Sequence, residues 1–454
     1  MSGFPKDFAW GTATSSYQVE GALDVGGRGE SIWDRFARVP GAVADGSDGR
    51  VACDHFHRFA DDVALMRQIG VNTYRFSIAW PRILADGRGE VLHAGLDFYR
   101  RLVDALLSAG IRPFVTLNHW DMPQALEDEG GWASRRTVDA FVRYADVVSR
   151  ALGDRVRDWT THNEPWCMAH LGYETGEHAP GRKEPAAALA AAHHLLLAHG
   201  RAVPVIRAHV RDAHVGLVLN LVPGYAASGS DIDREALRRF DGFFNRWYLD
   251  PIFFGRYPDD AIADRVQQGH LSSTTLPFVV DGDMAEIATP IDWLGINYYS
   301  RAICRGADEG NAPRVIAEPL PAQKTDMGWE VFPDGLAAIL ERVHADYAPR
   351  ALYVTENGAA YATEPDHQGR VADVERVHYV RTHVEACAQA LARGVPLRGY
   401  FLWSLLDNFE WQWGYLRRFG IVHVDYATQK RTLKDSARVY RDLIAAHTNP
   451  RSAR

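Results

Sequence analysis

Asp158-Trp159-Thr160-Thr161-His162-Asn163-Glu164-Pro165 and Leu352-Tyr353-Val354-Thr355-Glu356-Asn357-Gly358 have the same layout. A short β-favouring run reaches a carboxylate, and a proline or glycine then punctuates the strand. Strand-like segments at 158–161 and 352–355 are joined by six others, at 8–17, 73–79, 113–117, 215–219, 293–298 and 399–403. Between them lie stretches of helical period. Phe59, Val63, Met66 and Ile69 fall on one face, as do Tyr99, Leu102, Val103 and Leu106, with Gly110 as the stop. Phe141, Tyr144, Val148 and Leu152 form a third stripe, and Val377, Val380, Val384 and Leu391 a fourth. The alanine-rich stretch 186–203 predicts a strong helix, broken or kinked at Pro204.

Strands alternating with helices predict an α/β fold: a single (β/α)8 barrel of the TIM type with long βα loops, spanning 1–454 as one domain. A doubly wound open sheet is the second choice. The length, 454 residues, exceeds a typical barrel, and the excess is expected in loops at 21–54, 221–290 and 302–330.

Composition excludes several classes. A net charge of −8 gives no electrostatic reason to bind nucleic acid or an anionic membrane. No apolar run is long enough to span a bilayer. The start, Met1-Ser2-Gly3-Phe4-Pro5-Lys6-Asp7, has no apolar signal core, so a cytoplasmic protein is expected. Cys53, Cys167, Cys304 and Cys387 are scattered without a CxxC, which argues against a disulfide framework or a zinc site. The 13 Trp, 18 Tyr and 19 Phe can fill a core or stack on the flat apolar faces of sugar rings.

In a barrel, functional residues sit at the C-terminal ends of the strands. Those ends carry Gln18, then Asn118-His119-Trp120, Asn163-Glu164-Pro165-Trp166, Asn297-Tyr298-Tyr299, Glu356-Asn357-Gly358 and Trp403. One glutamate at a loop start is usually a structural ion pair. Two, on strands four and seven of eight, face each other across the barrel mouth. Such a pair supplies the proton donor and the nucleophile or base that glycosidic cleavage needs.

These motifs resemble those of family 1 glycoside hydrolases, the β-glucosidase family. The resemblance is carried by Phe8-Ala9-Trp10-Gly11-Thr12-Ala13-Thr14 with Tyr17-Gln18, by Tyr74-Arg75-Phe76-Ser77-Ile78-Ala79-Trp80-Pro81-Arg82-Ile83, by Asn163-Glu164-Pro165 and by Thr355-Glu356-Asn357-Gly358. Matches run in family order to the last strand and loop. The resemblance implies a retaining mechanism without metal or cofactor, with Glu164 as general acid/base and Glu356 as the nucleophile that forms a glycosyl-enzyme. Glu356 is then expected to be ionised, held by Arg75 and the Tyr299 hydroxyl, and Glu164 protonated at rest beside that charge. The same match makes Gln18, His119, Asn163 and Glu410 hydroxyl-binding residues. It makes Trp403 the floor of the sugar site, with Trp411 adding an indole N–H, and it places Asn297 and Tyr299 near the nucleophile. Trp120, Trp166 and Trp329 are expected in support, the last two on the aglycone side with Cys167, Tyr173 and His178.

Two positions depart from the pattern. His162 stands where many relatives carry an apolar residue, and could perturb the acid's pKa. Glu30, in Gly27-Arg28-Gly29-Glu30-Ser31-Ile32-Trp33-Asp34, stands where relatives often have proline.

The implied substrate is a small β-glycoside: the terminal glucosyl residue of cellobiose-like oligosaccharides or of aryl and alkyl β-glucosides, as in cellulose degradation. Glucose, galactose and fucose stay open, because axial and equatorial 4-hydroxyls can share Gln18 and Glu410. A 6-phospho-β-glycosidase is the alternative. An anionic Glu410 and bulky Trp411 oppose a phosphate there, and Arg417-Arg418 reads as a solvated surface pair. A non-catalytic sugar-binding barrel would be expected to lack one glutamate. A metal hydrolase finds no third ligand beside His55 and His57 or His193 and His194.

Overall fold

The computed structural model describes residues 3–306, 314–316 and 323–448. Eight parallel strands form a closed barrel in chain order: β1 Ala9–Ala13, β2 Thr73–Ser77, β3 Arg112–Asn118, β4 Asp158–Asn163, β5 His214–Asn220, β6 Trp293–Asn297, β7 Leu352–Asn357 and β8 Leu397–Trp403. β1 pairs with both β8 and β2, which closes the cylinder and excludes the open sheet. Helices α1 His55–Ile69, α2 His93–Ser108, α3 Arg136–Leu152, α4 Pro185–His209, α5 Trp247–Phe254, α6 Pro333–Tyr347, α7 Val374–Ala392 and α8 Asp435–Thr448 alternate with the strands.

Strand alternation divides the apolar residues into two cores. Outward residues such as Val115, Leu117, Leu294, Ile296 and Val354 join the layer under the helices. Inward residues fill the barrel itself. There Phe114 meets Trp293 at 4.9 Å, Tyr353 at 5.5 Å and Phe401 at 5.1 Å between ring centroids. Glycines on neighbouring strands make room for these rings. A Cβ at Gly11 would lie 2.4 Å from the Phe401 ring, and one at Gly216 would lie 2.4 Å from the Trp293 ring.

Besides a shift at the start of β7, where Leu352 pairs with Leu397 and Tyr353 with Gly399, pairing is irregular at two places near the strand ends. Between β4 and β5, Thr160 pairs with Gly216 but Asn163 pairs with Val218, so three steps on β4 match two on β5. On β7, Val354 pairs with Ile296 and Glu356 with Asn297, while Val354 pairs with Tyr400 and Asn357 with Leu402. Each is a bulge, an extra residue that breaks the alternation. Thr161 bonds His199 on α4 and His162 stacks on Phe141 of α3, so two successive residues face the helices. Asn163 is thereby returned to the barrel mouth.

Several expectations need correction. The first strand ends at Ala13, and Ser16–Val19 is a helical turn, so Gln18 lies on that turn rather than on a strand end. Ser16 is tied down there by its N–H to Ser77 Oγ (2.7 Å) and by its hydroxyl to Asp121 (2.6 Å). α4 runs unbroken through Pro204, because burial along its length outweighs one lost backbone bond. Segment 221–290 is no simple loop: besides α5 it holds helices Asp231–Asp241 and Asp259–Gln267. Of the segment 302–330, residues 307–313 and 317–322 lie outside the described residues, as do Met1, Ser2 and 449–454. The buried face of α7 is wider than its valine stripe and includes Arg376, Tyr379, His383 and Cys387. Glu30 pairs with Arg35 on the short helix Ile32–Phe36 and with Arg38 just beyond it, an ordinary surface role. Among the described residues, no helix is long and apolar enough to cross a membrane.

Gly216→Ala should cost roughly 1–3 kcal/mol by overpacking the barrel core, read as a lower urea midpoint at unchanged m-value. Adding Trp293→Phe should recover part of it. An unchanged midpoint for Gly216→Ala alone would mean that the Trp293 ring can move aside.

Candidate active site

A cavity of about 430 Å³ opens at the C-terminal ends of the strands, lined by residues at or just beyond the ends of β3 to β8. Glu164 and Glu356 both line it, arriving from β4 and β7. The residue order at each end follows from the bulges. On β7, Thr355 and Glu356 both turn inward. Asn357 anchors outward, donating to the Tyr298 carbonyl (2.8 Å) and to the Tyr379 hydroxyl (2.9 Å) and accepting from Tyr400 (2.8 Å). Gly358 passes so close to Trp403 that a Cβ would lie 1.7 Å from its carbonyl oxygen.

Glu356 accepts from Arg75 Nη1 at 2.6 Å on one oxygen and from the Tyr299 hydroxyl at 2.7 Å on the other. Glu164 accepts from Asn297 Nδ2 at 2.7 Å on Oε1 and from the Cys167 thiol at 3.1 Å on Oε2. Asn163 bridges the two halves: its Oδ1 accepts from Arg75 Nη2 (2.6 Å) and from Asn297 (3.0 Å), and its amide faces His119 Nε2 (3.2 Å). Trp120 holds the Asn163 carbonyl through its indole N–H (3.0 Å). Trp120, Glu164 and Trp411 have φ of 79°, 52° and 48°, a left-handed backbone that costs non-glycine residues energy and clusters at functional sites.

These contacts separate the two carboxyls electrostatically. Burial and the adjacent Glu356 both push Glu164 up, to about 8. Burial also raises Glu356, but the Arg75 guanidinium and the Tyr299 hydroxyl pull it back. Of two acids that cannot both ionise cheaply, Glu164 therefore keeps the proton. Burial, with Arg75 nearby, holds His119 well below the usual histidine range, so it is neutral.

The structure brings the expected pocket residues together. His119, Asn297, Tyr299, Trp403, Glu410, Trp411, Trp120, Trp166 and Trp329 line the same cavity as the two glutamates. Gln18, Asn163 and Arg75 stand directly behind, hydrogen-bonded to lining groups. Gln18 Nε2 donates to the Phe409 carbonyl (2.8 Å) and to Glu410 (3.3 Å). The Trp403 ring packs in the barrel-core cluster, and His119 lies nearly parallel to it at 5.8 Å.

Four expectations change. Glu410 is not simply anionic: burial and Glu356 push it up to about 8. Tyr173 is buried away from the cavity, its hydroxyl taken by Glu127 and the Trp132 N–H. Arg418 is no solvated surface residue. It pairs with buried Asp407 at 3.1 Å, and Arg417 lies over the Trp413 ring at 4.5 Å. His162 points at Phe141 and Trp132 rather than at Glu164, and burial keeps it uncharged.

Two residues escaped the sequence reading. Asn220, which lines the cavity and donates to Cys167 Sγ (3.6 Å), is the last residue of β5, one step beyond the apolar run 215–219. Cys167 was expected only on the aglycone side, and no spacing rule ties a thiol to the glutamate three residues before it.

A closed parallel barrel with two converging glutamates, one paired to arginine and one protonated, is the arrangement of enzymes that cleave bonds between sugars. The description "Glycosyl hydrolase family 1" matches residues 1–449, and the chain belongs to that family. Beta-glucosidase A of Acetivibrio thermocellus is 45% identical over 445 residues, covering 97% of this chain and 98% of that one. Beta-glucosidase A of Thermotoga maritima is 46% identical over 444 residues, 97% of each. The solved structure of the Thermotoga maritima β-glucosidase in complex with deoxynojirimycin has a TM-score of 0.94 at 44% identity, covering 98% of this chain and 99% of that one.

Glu164 and Glu410 are raised in the folded chain from an ordinary 4.5 to about 8. A raised acid contributes stability that is full below its unfolded pKa and is lost as pH rises through the folded one. The melting temperature should therefore fall between pH 5 and pH 9, and Glu410→Gln should flatten that fall. In Glu356→Gln, the Glu164 carboxyl, followed by carbon-13 NMR, should titrate at lower pH. An unchanged titration would mean that burial alone raises it.

Proposed function

We propose that this chain is a retaining β-glucosidase, a single catalytic barrel that removes terminal β-D-glucosyl residues from short cellobiose-like oligosaccharides and from aryl or alkyl β-glucosides. The observation that carries the reading is the unequal environment of the paired glutamates. Glu356, with Arg75 and Tyr299 on its two oxygens, is the nucleophile. Glu164, proton-bearing at neutral pH, is the acid that protonates the leaving oxygen.

The cycle follows from the charges. Glu356 attacks the anomeric carbon as Glu164 gives its proton to the departing oxygen, leaving a glycosyl ester. Esterification removes the negative charge beside Glu164, whose pKa then falls. Now ionised, Glu164 takes a proton from water, which attacks the same face and releases the sugar with its original configuration. In this reading Asn163 holds the 2-hydroxyl, Gln18 and Glu410 the outer hydroxyls, and Trp403 the ring face. A protonated Glu410 can donate to a hydroxyl as well as accept.

Unphosphorylated sugars fit this site better than 6-phosphates. Among the described residues lining the cavity, the one guanidinium is Arg301, engaged by Glu330 at 2.7 and 2.9 Å. A dianion at the Glu410 end would meet a carboxyl with no lining cation beside it. Four unpaired, buried cysteines suit a reducing compartment, so a cytoplasmic role on imported saccharides goes with the proposal.

Glu356→Gly should lose turnover by roughly 10⁶-fold, the scale of losing a nucleophile in other covalent enzymes. Azide or formate should restore nitrophenol release and give a product of inverted anomeric configuration. Residual activity without inversion would refute the nucleophile assignment. β-Glucoside should be cleaved in preference to its 6-phosphate with chelator present; the reverse order would overturn the substrate reading.

A further inference from the structure

We infer that Thr355 is a positioning residue for Glu164, acting through the side-chain amide of Asn297; the inference rests on Glu164 being the acid/base. An asparagine amide has nearly the same shape either way round, and only its partners decide which end faces where. The Thr355 hydroxyl donates to Asn297 Oδ1 at 2.7 Å. Asn297 Nδ2 is thereby turned to Glu164 Oε1 at 2.7 Å and to Asn163 Oδ1 at 3.0 Å. Asn163 Oδ1 is in turn fixed as an acceptor by Arg75 Nη2 at 2.6 Å, since guanidinium only donates.

The fold keeps space for this contact. A Cβ at Gly295 would lie 2.7 Å from Thr355 Cγ2 and 2.8 Å from its hydroxyl oxygen, so glycine on β6 leaves the threonine its place. The bulge on β7 lets Thr355 and Glu356 both face inward, where a regular strand would send one of them out to the helices. Thr355 and Asn297 are 0% and 1% exposed, so water does not replace a missing hydroxyl.

Without that hydroxyl, Asn297 Oδ1 is a buried acceptor with no donor. Turned over, it would meet the proton on Glu164, at the cost of the amide's bond to Asn163 Oδ1. An amide turned to accept that proton stabilises the acid and withdraws an N–H from the carboxylate. Glu164 then ionises less readily and is a poorer base for the second, hydrolytic half of the cycle.

The test compares Thr355→Val, Thr355→Ala and Thr355→Ser on dinitrophenyl β-glucoside, whose leaving group needs no acid. In Thr355→Val the alkaline limb of kcat/KM on nitrophenyl β-glucoside should move up by about one pH unit, the scale of a lost charge-assisted hydrogen bond. At pH 7, kcat on the dinitrophenyl substrate should fall about twofold, and more steeply below that pH, because a rise of about one unit takes a mostly ionised carboxyl to about half ionised there. KM should fall with it as glycosyl-enzyme accumulates, and azide, an anion needing no base, should recover kcat. Thr355→Ala should agree with Thr355→Val without adding bulk beside Gly295. Thr355→Ser keeps the hydroxyl and should keep the wild-type limb. A wild-type limb in the valine and alanine variants, or a serine variant that fails as they do, overturns the inference. Azide rescue of Glu164→Ala tests the acid/base role separately: if that rescue fails, the role itself is wrong.

Discussion

Two carboxyl groups buried side by side cannot both be charged at acceptable cost, and Arg75 decides which one is. Its guanidinium is wholly buried and reaches Glu356 with one nitrogen and Asn163 with another. Everything else at the barrel mouth is arranged around that choice. Glu164 receives only neutral donors, an amide and a thiol, which hold it in place without forcing it to ionise. His119, close enough to Arg75 to feel its charge, stays neutral. Glu410, at the far wall, is raised by the same negative Glu356 that raises Glu164. Burial shifts all four groups, and the one positive charge among them decides which carboxyl carries the negative charge that the other two carboxyls feel.

The barrel makes this possible by dividing labour along its axis. Below, aromatic rings and the glycines opposite them fill the cylinder and keep water out. Above, polar side chains meet in a dry setting where each hydrogen bond carries more weight than in water. The Thr355–Asn297–Glu164 chain crosses from one zone to the other, which ties the position of a reactive carboxyl to the packing of the core beneath it.

Much of this was legible in the sequence because period and punctuation carry it. Eight strand-like runs appear as eight barrel strands, and His119, Trp120, Glu164, Trp166, Asn297, Tyr299, Glu356 and Trp403, all marked at their ends, line one cavity. What was not legible has a physical cause in each case. A bulge leaves no compositional trace: Thr160-Thr161-His162-Asn163 reads as ordinary alternation, and only pairing with β5 reveals the extra residue. Gln18 was placed at a strand end because Phe8, Trp10, Thr12, Thr14 and Tyr17 favour a strand and no proline interrupts them, yet tertiary hydrogen bonds from Ser16 turn the chain into a helix. Tyr173 was misplaced because its partner Glu127 lies 46 positions away, and Arg418 because nothing in the sequence marks Asp407, 11 positions before it, as a buried partner. Protonation is collective as well: Glu410 looks anionic until the burial around it is counted.

The bulges carry one further consequence. At both glutamates, the strand holds one residue more than its neighbour can pair. Removing that residue from either strand would give a more regular cylinder, with an unbroken ladder and each side chain returned to its alternate face. The sheet would gain order, and the two carboxyls would no longer meet. For anyone redesigning this barrel, regularity is therefore the wrong measure of quality at these two points. A procedure that rewards ideal strand geometry would erase the function first, while every index of folding improved.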